Sequence, residues 1–351
     1  MTTLELAGLP DCHFSVDVAG SFHHSPSSLV RPISSPPSVE AVEALLSEWF
    51  GQPTLLFSSG RAACQLLGSE LGLQPYQHRI TVPRFLSRCI LNSLNMNAFP
   101  VHEAGADAVL FYHQYGFRQR VTPREALVIE DACHCFFSGP QSGVRPWVGQ
   151  GTAFSLPKFF SIHGPAGALV IQDRQLFRRV QKRRDGQSAI DPETELWRRK
   201  VIVAANSGAD THLLEGAYAL LTEFPGPDLS ALAGFPANID ELNRIGEMRA
   251  ARLRLLAEGL GDEYPAFLMD LGQDLPYALP YFGDGDRVRL GAIADRLTRE
   301  LGIHAGLYHL DRRCNLYDPD FQPCVLLPCH QYVPETLLQN AISIIRAYHS
   351  D

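Results

Sequence analysis

The sequence has no apolar run approaching the about 20 residues needed to span a bilayer. Its first residues, MTTLELAGLPDCHFSVDVAG, carry early acids and no basic stretch leading into an apolar block, as a secretory signal would require. Eight cysteines are present, but none sits in a Cys-x-x-Cys pair, so they read as scattered buried thiols. A cytoplasmic protein without a membrane span is expected. Positive charge is scarce too: 30 Lys and Arg against 38 Asp and Glu leave a net charge of −8. That excess argues against binding a phosphate backbone, and nucleic acid is not an expected partner. The one basic cluster, Arg178-Arg-Val-Gln-Lys-Arg-Arg184, reads as the solvated face of a helix. GxxxxGK[ST] and GxGxxG are missing, so neither a P-loop nor a dinucleotide fingerprint is present. Internal repeats and low-complexity tails are absent as well.

What is present is concentrated in residues 126–172. Three short apolar runs, 126–131, 151–156 and 166–171, are bounded by Gly and Pro and read as strands buried on both faces. Each leads to polar residues of different character: Asp131 and His134, then Ser155 and Lys158, then His163. Ligands of open α/β sheets sit at the carboxyl ends of strands. A carboxylate and an amine placed there can converge on one crevice, as a cofactor aldehyde held as a Schiff base requires. The Cys133-His134-Cys135 triplet suggests metal at first sight. Read as part of a strand, its neighbours would face opposite ways, and no metal site is expected.

Before this stretch, residues 1–37 are rich in Pro, Ser and His and read as an irregular arm. Ser38 is placed to cap a helix whose apolar stripe is Val39, Val42, Leu45, Leu46 and Trp49. A strand at 54–57 then runs into Ser58-Ser-Gly-Arg-Ala-Ala63. A strand, a tight turn and a helix start make an anion site, because the first N–H groups of a helix have no partner within it. One small phosphate monoester suits it. Strands at 79–83, 98–101 and 108–113 alternate with a helix at 85–95, which predicts a mainly parallel sheet. Helices are expected at 174–184 and 239–260. The last third reads as a smaller α+β unit, with strands at 278–282, 303–308 and 324–327 and helices at 287–301 and 334–349. The expected division is an arm at 1–37, a large domain at 38–240, and a connecting helix with a small domain at 241–351.

With those residues in place, the chain resembles the DegT/DnrJ/EryC1/StrS family of pyridoxal-phosphate (PLP) enzymes of fold-type I. The resemblance rests on an ordered series: Ser58-Ser-Gly-Arg-Ala-Ala63, Val82-Pro83, His113-Gln-Tyr-Gly116, Ile129-Glu-Asp-Ala-Cys-His134, Phe154-Ser-Leu-Pro-Lys158 and Gly164-Pro-Ala-Gly167. It implies a seven-stranded, mainly parallel sheet sandwiched by helices, with a smaller C-terminal α+β domain. It further implies Lys158 as the Schiff-base lysine, Asp131 against the pyridinium nitrogen and His134 near the phenolic oxygen. Ser59, Gly60, Arg61 and Ser155 would hold the phosphate, and Phe85 would stack on the ring. His113, His163 and Trp147 are candidates for the substrate side, though each histidine reads equally well as a satisfied structural one and the tryptophan as core.

The implied activity is that of an aminotransferase, moving nitrogen from L-glutamate to a keto-sugar or secondary-metabolite acceptor by ping-pong chemistry. A homodimer with a shared active site is implied, with Asn206, Asn238 and Asn243-Arg244 as candidates to serve the partner's site. Two departures touch the substrate side. Lys158 follows Ser155 by three residues, where many relatives have five. Gly164-Pro-Ala-Gly167 replaces the usual Gly-Glu-Gly-Gly. Other PLP reactions (dehydration, decarboxylation, carbon–carbon bond formation) and a non-catalytic regulatory protein stay open. Retained Lys158 argues against the family's sugar dehydratases, which carry His there.

Overall fold

Side chains along a strand point alternately to two sides, and here both sides are apolar, so the strands need helical cover above and below. A computed structural model shows that arrangement. The structure describes residues 37–138, 147–162, 165–187, 212–228, 232–261 and 275–348, with 12–13, 22–23, 191, 193–194, 196–198, 200 and 264. Most of the expected N-terminal arm lies outside the described residues; within it Cys12–His13 pairs antiparallel with Phe22–His23.

Among the described residues the large sheet has seven strands: Thr54–Phe57 (β1), Arg79–Thr81 (β2), Phe99–Val101 (β3), Ala108–Tyr112 (β4), Leu127–Asp131 (β5), Gly151–Ser155 (β6) and Gly167–Val170 (β7). Their order is β1-β7-β6-β5-β4-β2-β3. β7 runs antiparallel to β1 and β6, and all other pairs are parallel. Helices Val39–Phe50 (α1), Gly60–Glu70 (α2), Arg88–Asn95 (α3), Arg174–Asp185 (α4), His212–Glu223 (α5) and Ile239–Leu260 (α6) accompany it. A second, antiparallel sheet contains Ala278–Tyr281 (β8), Leu307–Asp311 (β9) and Phe321–Pro328 (β10), in the order β8-β10-β9. Arg287–Leu301 (α7) packs on β9 and β10, and Glu335–Ala347 (α8) packs against α6 and α7.

Alternation along the strands builds two cores. Leu55, Phe57, Ala153 and Leu169 join Ala62, Leu66 and Leu67 of α2 and Leu176 of α4. Leu56, Phe154, Ala168 and Val170, one position out of phase, join Val42, Leu46 and Phe50 of α1. This second cluster continues through Phe136, Phe159 and Tyr277 to Val325 and Leu327 of β10 and Leu338 and Ile345 of α8. One apolar core therefore joins the two sheets. Among the described residues, no helix is long and apolar enough to cross a membrane.

The turn from β1 into α2 is held by a close backbone approach. A Cβ at Gly167 would lie 2.3 Å from the Ser59 carbonyl carbon and 2.4 Å from the Gly60 nitrogen. Both are backbone atoms and cannot retreat without moving the helix start. Gly167→Ala is therefore expected to cost about 3 kcal/mol of stability by overpacking, read as a lower urea midpoint. A midpoint equal to wild type would show that the turn has room.

The structure differs from the sequence-based expectation at three places. The helix expected from residue 85 starts at Arg88, because Phe85 has φ 55, outside the helical region. The strand expected at 303–308 is Leu307–Asp311, paired with Phe321–Val325; Ile303 is a buried anchor just beyond the left-handed Gly302 cap of α7. The Cys133–Cys135 triplet follows the end of β5 in turns and is not strand, so alternation does not govern where its side chains point. Cys133 Sγ faces the Ala153 carbonyl and Cys135 Sγ the His113 carbonyl.

Candidate active site

The carboxyl ends of β5 and β6 lie side by side, with Asp131 paired to Ala153, and this register sets the site. Asp131 closes β5 and is 1% exposed. Its Oδ1 accepts the Cys133 N–H at 3.0 Å. No group among the described residues hydrogen-bonds Oδ2, so a buried carboxylate keeps one oxygen for a ligand. Ser155 closes β6, pairs with Gly167 and leads within three residues to Lys158. Leu156, Phe159 and Phe160 around the lysine are buried, while Lys158 itself is partly exposed.

Lys158 Nζ lies 2.5 Å from His134 Nε2. An ammonium offers only donors, so Nε2 accepts and the ring proton belongs on Nδ1, which faces the Tyr112 hydroxyl at 3.3 Å. Burial, and next the charge of Lys158, hold the His134 imidazolium well below its ordinary range. The neutral ring that results is packed against Tyr115 and Tyr277. This carries a stability consequence. The unfolded chain takes up a proton near the ordinary pKa of 6.5, whereas the folded one does so only at lower pH. Stability is then full above that value and falls as pH drops below it, by up to about 1.4 kcal/mol per pH unit. His134→Gln is expected to flatten the slope of unfolding free energy between pH 7 and pH 5 in urea titrations. An unchanged slope would mean the imidazole does not stay neutral.

The amino end of α2 closes the third side. Ser59 caps it, its hydroxyl accepting the Ala62 N–H. A Cβ at Gly60 would meet Cys133 Sγ at 2.5 Å and the Phe154 carbonyl oxygen at 3.0 Å. The helix start is thus pressed against the segment after Asp131 and against β6. Its positive end and leading N–H groups suit an anion. Arg61 lies in this first turn, and its carbonyl accepts the Ser93 hydroxyl. Ser59, Gly60, Asp131, His134, Ser155 and Lys158 are therefore brought together.

Other candidates are placed elsewhere. His113 is 1% exposed; Nε2 donates to Glu130 at 2.7 Å and Nδ1 accepts the Gln119 N–H, so it is a satisfied core histidine and not a substrate contact. Phe85 stacks one ring face on His309 at 4.4 Å with 7° between the rings, meets Phe321 edge-on and remains 57% exposed. Trp147 is buried beside Phe154 with the Arg118 guanidinium over its ring. Asn238 caps α6 by accepting the Glu241 N–H, while Asn243 and Arg244 are exposed. His163 and Asn206 lie outside the described residues. Tyr112, Tyr115 and Tyr277, which surround His134, were not among the sequence candidates. The end of β4 was a usable signal for Tyr112, but Tyr277 arrives from the other sheet with no local pattern.

Among solved structures, a DegT/DnrJ/EryC1/StrS aminotransferase from Brucella abortus is 16% identical, covers 91% of this chain and 92% of its own, and superposes with a TM-score of 0.60. NtdA from Bacillus subtilis, with bound cofactor PMP, is 16% identical over 90% of this chain and 78% of its own, at 0.55. DesI, in the presence of its TDP-sugar product, is 15% identical over 91% and 89%, at 0.58. The chain has the fold-type I architecture. No family model and no curated protein matches it. On a fold-type I sheet the residues meet the needs of a group with a cationic ring nitrogen, an aldehyde and a phosphate. Asp131 Oδ2 suits the nitrogen, the Lys158 amine the aldehyde, and the start of α2 the phosphate.

Proposed function

We propose that the chain is a PLP-dependent aminotransferase. The observation that carries this reading is the meeting of a lysine amine, a neutral imidazole and a buried carboxylate with a spare oxygen beside a helix start. Bound there, PLP would supply an aldehyde that captures amines and a ring that accepts electrons from the substrate carbon. Asp131 would keep the ring nitrogen protonated, and Ser59, Gly60, Arg61 and Ser155 would hold the phosphate. His134 would sit near the ring oxygen. Lys158 would hold the aldehyde between turnovers and, once released, carry the proton at the substrate carbon.

L-glutamate is the proposed donor. A keto-sugar is the proposed acceptor, in keeping with the TDP-sugar product of DesI. The protein would work as a cytoplasmic homodimer, with exposed Asn243 and Arg244 as the remaining described candidates to reach the partner's site.

Borohydride reduction after adding PLP, followed by peptide mapping, tests the reading. A single pyridoxyl group on Lys158 is expected. Labelling spread over surface lysines, with Lys158 bare, would refute it.

A further inference from the structure

A cavity of about 260 Å³ lies between the carboxyl ends of β2 and β4 and the small sheet, walled in part by Tyr112, Gln114, Gln119, Asp311 and Tyr317. Most of these polar walls are already committed. Gln114 donates to the His309 carbonyl and accepts the Asp311 N–H. Gln119 donates to the Tyr112 carbonyl and accepts the Leu316 N–H. The Asp311 carboxylate takes the N–H groups of Arg313, Asn315 and Asp320, and the Tyr317 hydroxyl donates to Glu125. Such groups shape the wall. Tyr112 differs, because it also reaches the site: its hydroxyl is 3.3 Å from His134 Nδ1, and Nε2 of the same ring is 2.5 Å from Lys158 Nζ.

We propose that Tyr112 and His134 form a proton relay joining this cavity to the Lys158 amine, and that the cavity receives the carbonyl group of the acceptor. The inference rests on the aminotransferase reading and adds a route to it. One proton leaves the Lys158 ammonium for His134 Nε2, and the Nδ1 proton passes to the Tyr112 oxygen. The Tyr112 hydroxyl proton passes to the substrate oxygen in the cavity. Lys158 ends neutral, the imidazole has exchanged one tautomer for the other, and Tyr112 regains its hydroxyl. No electrons are transferred and no ion is left on the ring.

The surroundings favour that neutral path. Lys158 and the Tyr112, Tyr115 and Tyr277 rings face the imidazole. Burial holds His134 below its ordinary range and keeps the Tyr112 hydroxyl protonated, with Tyr115, Asp131, Cys133 and Cys135 adding to the second effect. A ring that resists a full positive charge, yet has a partner on each nitrogen, can pass a proton only by changing tautomer.

Nitrogen NMR of the imidazole in the cofactor-free full chain tests the path without relying on PLP. Wild type should carry its proton on Nδ1 of His134, and Lys158→Met, which removes the donor to Nε2, should shift the population toward Nε2. A proton on Nε2 in wild type, or no shift in the variant, overturns the relay. In the PLP-loaded protein, half-reactions with L-glutamate and with 2-oxoglutarate should slow about 10²-fold in Tyr112→Phe. His134→Gln, whose amide cannot exchange tautomers, should slow them similarly. Wild-type rates in a loaded Tyr112→Phe protein overturn the relay while leaving the aminotransferase reading intact. Failure of wild type to take up PLP would sink that reading instead, and the NMR result would still decide whether the proton path exists.

Discussion

Lys158→Ala is expected to slow amino-group exchange by about 10⁴-fold or more, with folding stability nearly unchanged. Among the described residues of the crevice, the amine is the only group able both to capture an aldehyde and to carry a proton at the substrate carbon. Lys158→Arg should be equally inactive: the guanidinium keeps the charge but stays protonated above pH 12 or so and is no nucleophile. A loss shared by both variants separates amine chemistry from simple electrostatics. Stability should shift by only about 1 kcal/mol, because Lys158 is partly exposed and loses a single hydrogen bond, the one to His134, with no ion pair among the described residues. Single-turnover rates with L-glutamate, beside urea midpoints, read both quantities. An Arg variant with near wild-type rates would mean that another group does the chemistry.

The largest stability effect is expected at Glu130, one residue before the site. Its carboxylate is buried and accepts from His113 Nε2, the Val148 and Gly149 N–H groups and the Thr152 hydroxyl. Burial pushes this carboxyl up, but the His113 hydrogen bond, the Gly149 N–H and Arg118 outweigh it, and the net shift is down. A depressed carboxylate pKa contributes stability above the unfolded value, lost as pH falls through the folded one. Glu130→Ala would leave four donors without this acceptor, two of them fully buried, a cost of about 3–5 kcal/mol. Glu130→Gln keeps one acceptor oxygen and should cost less. Denaturant unfolding of the three proteins orders them; an alanine variant within about 1 kcal/mol of wild type would show that water replaces the lost bonds.

Much of this architecture was legible because its signals are local. The β1 strand at 54–57 and the helices at 239–260 and 287–301 have the expected bounds, each marked by short-range apolar spacing or a cap. Asp131, His134 and Lys158 could be placed together because the carboxyl ends of adjacent parallel strands meet by topology alone. What stayed open in the sequence depended on distant partners. His113 was open to a substrate role until Glu130 and Gln119 took both of its nitrogens. Phe85 is a stacking candidate in the sequence, and the structure sets one face of its ring on His309 of the small sheet, more than 200 residues along the chain. Tyr277 comes to His134 across the same gap between sheets, and no spacing rule joins positions so far apart.

The central claim is that this crevice runs PLP-dependent amino transfer from Lys158. The visible spectrum of the purified, PLP-supplemented protein, before and after L-glutamate, tests it most directly. A visible band from cofactor bound to Lys158 is expected, bleached by glutamate and restored by a keto acid. A protein that shows no band after PLP is added, or keeps its band unchanged through glutamate, would contradict it.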